Sequence, residues 1–254
     1  NGKYEITLVN VPDGTYTVEE TSYAYDGAAV TVSYTVDGID GEGTEASGIT
    51  LIGGNTADVE FVDTYKLGTV KFTKAGLYKE SCAEDPDDVK MLDGVEFALY
   101  EGTDTECENP VMTATSVNGV VTFKDLKIGT YLVKESKTIG DYIIDNTVYT
   151  AEVTEANIDT YAVLNGVQDN TLINDLPRTD LKIEKVAEEN NGIKLPNSVY
   201  GLYKENENGE EEFVAKATTD SNGVLKFDGI LIGTEYTIRE IQAPDGYYVS
   251  EQPI

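Results

Sequence analysis

One lysine, one glutamate and one asparagine in this sequence each end an alternating apolar run, and together they could do chemistry. The runs are Val70-Lys71-Phe72-Thr73-Lys74, Tyr131-Leu132-Val133-Lys134-Glu135 and Thr171-Leu172-Ile173-Asn174. In a β-strand, residues i, i+2 and i+4 share a face. Val70, Phe72 and Lys74 therefore point one way, as do Tyr131, Val133 and Glu135, and Leu172 with Asn174. A Lys or Glu buried alone shifts its pKa and turns neutral rather than stay charged. A neutral lysine is a nucleophile and a protonated glutamate moves protons. An Asn carboxamide beside them is open to attack, which would release ammonia and leave a Lys–Asn amide. That reaction needs no histidine, metal or cofactor, and the chain has no histidine. The same residues also fit a buried Lys–Glu salt bridge with a hydrogen-bonding Asn and no covalent bond.

The elements that must position these groups recur along the chain. Val70–Lys74 lines up with Leu181-Lys182-Ile183-Glu184-Lys185, and Leu92–Tyr100 with Leu195–Tyr203. Val117-Asn118-Gly119-Val120 lines up with Ser221-Asn222-Gly223-Val224, and Tyr131–Glu135 with Tyr236–Glu240. A third copy of the glutamate strand places Tyr16, Val18 and Glu20 on one face near the N-terminus, and Val59, Phe61 and Asp63 share a face later in that segment. Alternating runs, hairpin signals at Asn118-Gly119 and Asn222-Gly223, and the absence of long helical periods predict an all-β protein. Each repeat reads as about seven short strands forming a β-sandwich, with one short turn at 155–159 as the nearest thing to a helix. The expected boundaries are residues 1–65, the C-terminal part of one domain; 66–177, a complete domain; and 178–254, a domain lacking its last strand. On this reading the missing strands lie outside the 254 residues or come from neighbouring chains.

Composition narrows the function. The 254 residues carry a formal net charge of −29, which disfavours nucleic acid and anionic lipid as partners. No apolar run approaches the roughly 20 residues of a membrane span. The charge reads first as solubility. The sharper alternative is calcium at Asp85-Pro86-Asp87-Asp88, although the spaced ligands and turn glycine of an EF-hand are missing. The two cysteines, Cys82 and Cys107, form no CxxC metal motif. In an extracellular chain they read as a disulfide, and in a reducing compartment as free thiols.

The lysine strand, Gly94-Val95-Glu96-Phe97-Ala98-Leu99-Tyr100, the Asn-Gly turn, Gly129-Thr130-Tyr131 with its glutamate, and Ala243-Pro244-Asp245-Gly246-Tyr247 together resemble the Cna B-type (SpaA-like) domains of Gram-positive surface adhesins and sortase-assembled pilins. The resemblance covers 66–254 well and 1–65 more loosely. It implies tandem immunoglobulin-like sandwiches and a self-formed intramolecular isopeptide bond. Lys74 would be the nucleophile, Asn174 the acceptor and Glu135 the proton-shuttling acid. Lys185 and Glu240 match two of the roles in the third repeat, Glu20 matches the acid in the first, and Asp63 stands where an acceptor is expected.

The function implied is a structural stalk of an extracellular, cell wall-associated adhesin or pilus-like fibre. Its partners would be neighbouring domains or subunits, and it would use no cofactor or metal. The alternative is an adhesin module gripping a host protein or glycan through loops, with Tyr23, Tyr25, Tyr247 and Tyr248 as candidate contacts. A conventional enzyme finds no nucleophile elbow or phosphate loop to support it. Leu176-Pro177-Arg178-Thr179 resembles the start of a sortase signal, but Asp180 replaces the glycine and another domain follows. It reads as an interdomain linker stiffened by proline.

Overall fold

The computed structural model describes residues 5–23 and 29–254. Among them, β-strands carry the regular structure, and the helical content is one 3-10 turn at Gln168–Asn170. The expected turn at 155–159 forms as turns rather than helix. The first segment contains β1 (Gly14–Glu19), β2 (Ala29–Val36), β3 (Ile39–Glu42), β4 (Glu45–Leu51) and β5 (Val59–Lys66). The middle segment contains β6 (Gly68–Leu77), β7 (Val89–Met91), β8 (Glu96–Glu101), β9 (Met112–Thr115), β10 (Val120–Leu126), β11 (Gly129–Lys137), β12 (Val148–Val153) and β13 (Thr171–Asn174). The third contains β14 (Arg178–Glu184), β15 (Val186–Ala187), β16 (Asn190–Lys194), β17 (Val199–Glu205), β18 (Glu211–Thr218), β19 (Val224–Leu231) and β20 (Thr237–Gln242).

The middle segment is a sandwich of two sheets. One runs β10-β6-β13, with β7 paired to the far end of β6, and the other runs β12-β11-β8-β9. It has one strand more than the alternation predicts, because Val89–Met91 pairs with Ala75–Leu77 beyond the main ladder. Between the sheets lies a core that includes Val70, Phe72, Phe97, Leu99, Phe123 and Val133. Phe72 and Phe97 meet edge to face across it, 5.0 Å between ring centroids, a favoured aromatic geometry. The Asn118-Gly119 hairpin is a two-residue turn with positive φ at both residues, the conformation that Asn-Gly favours. Its counterpart differs. Only Gly223 has positive φ there, and Asp220 closes the turn by accepting bonds from the Asn222 and Val224 amides at 2.8 and 2.9 Å.

The third segment repeats the plan, with β14-β19 facing β18-β17-β20 over a core around Leu202, Leu225, Phe227 and Ile238. The first segment pairs β1 with β4 and forms the sheet β3-β2-β5. Its fully buried apolar side chains among the described residues are Ala46 and Ile49, while Val18, Val62 and Tyr65 are exposed. A bulge on β4 at Gly48, where φ is +76°, breaks the β1 register between Tyr16 and Val18.

The middle and third segments are locked together by a loop that sequence periodicity does not reveal. Glu80 is 1% exposed. Both its oxygens accept from the Lys204 ammonium at 3.0 Å, and Oε1 also accepts from the Tyr236 hydroxyl at 2.8 Å. Burial first, and then the Glu80 carboxylate, push the Tyr236 phenol well above its ordinary value. Ser81 N–H donates to the Gly229 carbonyl at 3.0 Å. A Cβ on Gly229 would sit 2.6 Å from the Ser81 side chain, so glycine is what lets the loop approach. Arg178, just after the linker proline, bonds the carbonyl of Lys79 and the carboxylate of Asp175. Glu80→Ala is expected to leave the Lys204 ammonium unpaired, lowering the stability of the docked pair by about 3 kcal/mol. NMR relaxation of residues 66–254 should then show the two segments tumbling independently, whereas joint tumbling in the variant would sink the lock.

Candidate functional site

The site lies at one end of the middle sandwich, where both sheets contribute. β13 runs parallel to β6, with Leu172 opposite Lys74 and Asn174 opposite Gly76. Lys74 and Asn174 are therefore diagonal neighbours on one face. β11 belongs to the other sheet and brings Glu135 across the core, opposite Phe97 of β8. Burial alternates along β6, β11 and β13 as the three faces require, and Lys74, Glu135 and Asn174 are 0%, 2% and 2% exposed. Gly76 leaves room for this arrangement, since a Cβ there would lie 2.4 Å from the Tyr142 ring and 2.8 Å from Leu92.

The three side chains touch. Lys74 Nζ donates to Asn174 Oδ1 at 2.5 Å and lies 3.0 Å from Glu135 Oε2 as an ion pair. Asn174 Nδ2 donates to Glu135 Oε1 at 2.7 Å and to Thr138 Oγ1 at 3.1 Å. The Phe97 ring centroid lies 5.7 Å from the ammonium. Burial drives the Lys74 amine below its ordinary value, and the charges of Glu135 and Asp145 only partly oppose it. Lowering favours the neutral amine, the nucleophilic form. Asp145 is buried in part, which works to raise its pKa, but hydrogen bonds from Tyr149 and Thr147 and the Lys74 charge hold it low. The Tyr149 hydroxyl donates to it at 2.6 Å, and burial together with that bond moves the phenol up to about 12.

The partial sites differ in kind. Lys185 Nζ is 3.4 Å from Glu240 Oε2, and the lysine side chain is 21% exposed. Burial works to lower this amine, but Tyr200 and Glu240 outweigh it and its pKa is raised. Glu240 Oε2 accepts from the Ser250 amide at 2.9 Å, and Oε1 is buried with no hydrogen-bond partner. In the first segment, the Glu20 carboxyl is pushed up by burial and then by the neighbouring Asp63 charge and hydrogen bond.

One expectation is corrected. Cys82 and Cys107 are free thiols. Cys82 sits in the docking loop against the third segment's core, where burial raises its pKa. Cys107 packs on the outer face of the middle sandwich, beside Ala98, Tyr100 and Leu132. The acidic stretch at residues 85–88, the alternative calcium candidate, forms a bend and a turn. Asp88 is 2.5 Å from Lys79 Nζ, and no group of metal-ligating residues gathers among the described residues. Tyr25 lies outside the described residues. Tyr23 belongs to the first segment and Tyr248, 97% exposed, to the third, while the Tyr247 hydroxyl is bonded to Glu189 at 3.0 Å.

Thr138 was not among the sequence candidates. Strict alternation after Glu135 would turn Lys137 inward and Thr138 outward. A bulge on β11, two residues from Glu135 to Lys137 against one from Phe97 to Glu96, resets the period and brings Thr138 onto the Asn174 amide. Asp145 and Tyr149 were also missed, because they act from a loop and the adjoining strand with no repeating pattern.

With this geometry in view, comparison with known proteins is decisive at the level of family. The description "SpaA: Prealbumin-like fold domain" matches residues 83–167 and again 179–254, so the chain belongs to that family of all-β domains and carries two tandem copies. No curated protein matches the sequence. Among solved structures it is similar to the Bacillus anthracis TIE protein, at 21% identity over 98% of this chain and 55% of that one, with a TM-score of 0.48. It is also similar to the shaft pilin spaA of Lactobacillus rhamnosus GG, at 16% identity over 74% and 92%, TM-score 0.30. The major pilin subunit BcpA of Bacillus cereus gives 16% over 74% and 95%, TM-score 0.27. The chain spans just over half of the TIE protein structure.

Because the Gly76 position is filled by its neighbours, Gly76→Ala should overpack the site and cost about 2 kcal/mol in denaturant unfolding of the middle domain. Unchanged stability would mean that Tyr142 and Leu92 move aside freely.

Proposed function

We propose that the chain is a stalk segment of an extracellular, cell wall-associated adhesin or pilus-like fibre of a Gram-positive bacterium. Its middle domain forms a Lys74–Asn174 isopeptide bond with Glu135 as the acid. Membership of the SpaA family and the tandem sandwiches support the stalk. The observation that carries the chemistry is the contact of three fully buried groups at 2.5 to 3.0 Å.

In the reaction, Lys74 passes a proton to Glu135 Oε2, and the neutral amine attacks Asn174 Cγ. Glu135 returns the proton to Nδ2, ammonia leaves, and the carboxylate takes the remaining surplus proton from Nζ as the amide forms. An ammonium, a carboxylate and a carboxamide become an amide, ammonia and a carboxylic acid, so two buried charges are erased. The partners would be adjoining domains or subunits of the same fibre. Lys185–Glu240 and Glu20–Asp63 would be partial sites of the flanking domains, with boundaries near 65 and 177. No described helix is long and apolar enough to cross a membrane. Binding of a host protein or glycan through loops gains no specific support, since the candidate tyrosines fall on different segments.

Intact mass decides the chemistry. The purified chain should weigh about 17 Da less than its sequence, and Lys74→Ala or Glu135→Ala should restore the full mass. Lys74→Ala is also expected to lower the melting temperature of the middle domain by about 20 °C, the worth of closing a loop of this length. An unmodified mass in the parent would reject the crosslink and leave the buried salt bridge.

The pH dependence has a definite shape. The reactive neutral pair is a tautomer of the ion pair and holds the same single proton. Crosslinking should therefore be flat across neutral pH. It should fall in acid, where the pair takes a second proton and the amine is lost, and again in alkali, where the last proton leaves. A rate that climbs steadily through neutral pH would show that an unpaired lysine is the nucleophile.

A further inference from the structure

We infer that Thr138 is a fourth working member of the crosslinking group: it holds the leaving nitrogen of Asn174 and marks the route by which ammonia departs. The inference rests on the isopeptide reading above and goes beyond its three residues.

A primary carboxamide can sit either way round, and only one orientation is productive here. Oδ1 must face the lysine and Nδ2 must face the acid that will protonate it. Lys74 donates to whichever atom it meets, so it selects oxygen. On the other side, Nδ2 has two hydrogens and two acceptors, Glu135 Oε1 at 2.7 Å and Thr138 Oγ1 at 3.1 Å. If Glu135 carries the proton, as the reaction requires before ammonia leaves, its hold on the amide weakens and Thr138 remains as acceptor. The hydroxyl therefore keeps the orientation fixed at the moment when the acid cannot.

The exit follows from burial. Lys74, Glu135 and Asn174 are sealed, each at most 2% exposed, whereas Thr138 is half-buried. Among the groups bonded to the amide it is the one that also reaches solvent. Ammonia formed at Nδ2 already holds a hydrogen bond to Oγ1 and leaves past it, which discourages the reverse attack on the new amide.

This position is set by the bulge at Ser136 and not by strand periodicity. The third segment has the same bulge, at Ile241, between the Glu240–Tyr200 and Gln242–Val199 pairs. The residue that follows Gln242 is Ala243, which has no hydroxyl. The scaffold is thus shared by both segments and the hydroxyl is specific to the middle one.

The test is a time course of cell-free synthesis of the full chain. Samples are quenched in acid, and intact mass separates uncrosslinked from crosslinked protein. Thr138→Val should slow the loss of about 17 Da roughly five- to tenfold, the worth of one hydrogen bond. Thr138→Ser should restore the parent rate. In a Lys74→Ala background, where no crosslink forms, Thr138→Val should lower the melting temperature by no more than the few degrees that one hydrogen bond is worth. A parent rate in Thr138→Val overturns the role of Thr138 while leaving the triad intact. A slowed rate with a loss of stability in the Lys74→Ala background well beyond one hydrogen bond makes the residue structural and also overturns it. No mass loss in the parent removes the isopeptide reading itself, and this inference with it.

Discussion

The interaction on which the site depends is the parallel pairing of β13 along β6. β13 is only four residues long, but it covers the end of β6 where Lys74 stands. The third segment shows what that strand does. There β14 pairs with β19 alone, Lys185 keeps about a fifth of its side chain in solvent, and its amine is held above the ordinary value. Under β13, Lys74 is fully enclosed and its amine is held below it. Two lysines at equivalent places, each facing a buried glutamate, are shifted in opposite directions. Burial works to lower both amines; it prevails at Lys74, which β13 covers, and is outweighed at Lys185 by Tyr200 and Glu240.

That strand also brings Asn174, so on the proposed reaction the cover that desolvates Lys74 and the group it would attack arrive together. Lys74 and Asn174 come from one sheet and Glu135 from the other, which makes the complete constellation a property of the closed sandwich. A partly folded domain has the lysine in water, protonated and inert. A crosslink gated this way would join only correctly assembled strands, and with no exposed reactive lysine there would be little opportunity for misdirected bonds. The two residues are 100 apart in sequence. A bond between them would carry load entering on β6 directly to β13, leaving the intervening strands unstretched.

Much of this was legible in the sequence because the burial period of a strand is 2 and holds along each of these runs. Val70-Phe72-Lys74, Tyr131-Val133-Glu135 and Leu172-Asn174 declare their faces without any knowledge of the fold. The repeat then indicates that the faces belong to one domain. Legibility stopped where the period broke. Thr138 is displaced by a bulge that no local residue type announces, and Asp145 lies in a loop. Cys82 and Cys107 share a segment and the same kind of polar loop, yet one faces the neighbouring domain and the other the outer surface of its own. Glu80 sat in an unremarkable acidic stretch, and its partners, Lys204 and Tyr236, come from another domain, so no pattern within one repeat could point to it.

The Glu80 junction and the Lys74 site are two answers to one physical problem. A carboxylate and an ammonium taken out of water cost several kcal/mol each, and their attraction returns this only with good geometry and further hydrogen bonds. At the junction the balance is met by a bidentate pair and the Tyr236 hydroxyl, which satisfies the carboxylate and leaves no amide within the group to attack. In the middle domain the fourth partner is a carboxamide instead of a phenol, and the lysine lies deeper. The same burial that makes a charged pair costly then favours the neutral tautomer, and the neutral tautomer has an electrophile in contact. The identity of that one neighbour separates a lock that remains ionic from a group in which the proposed crosslink would form.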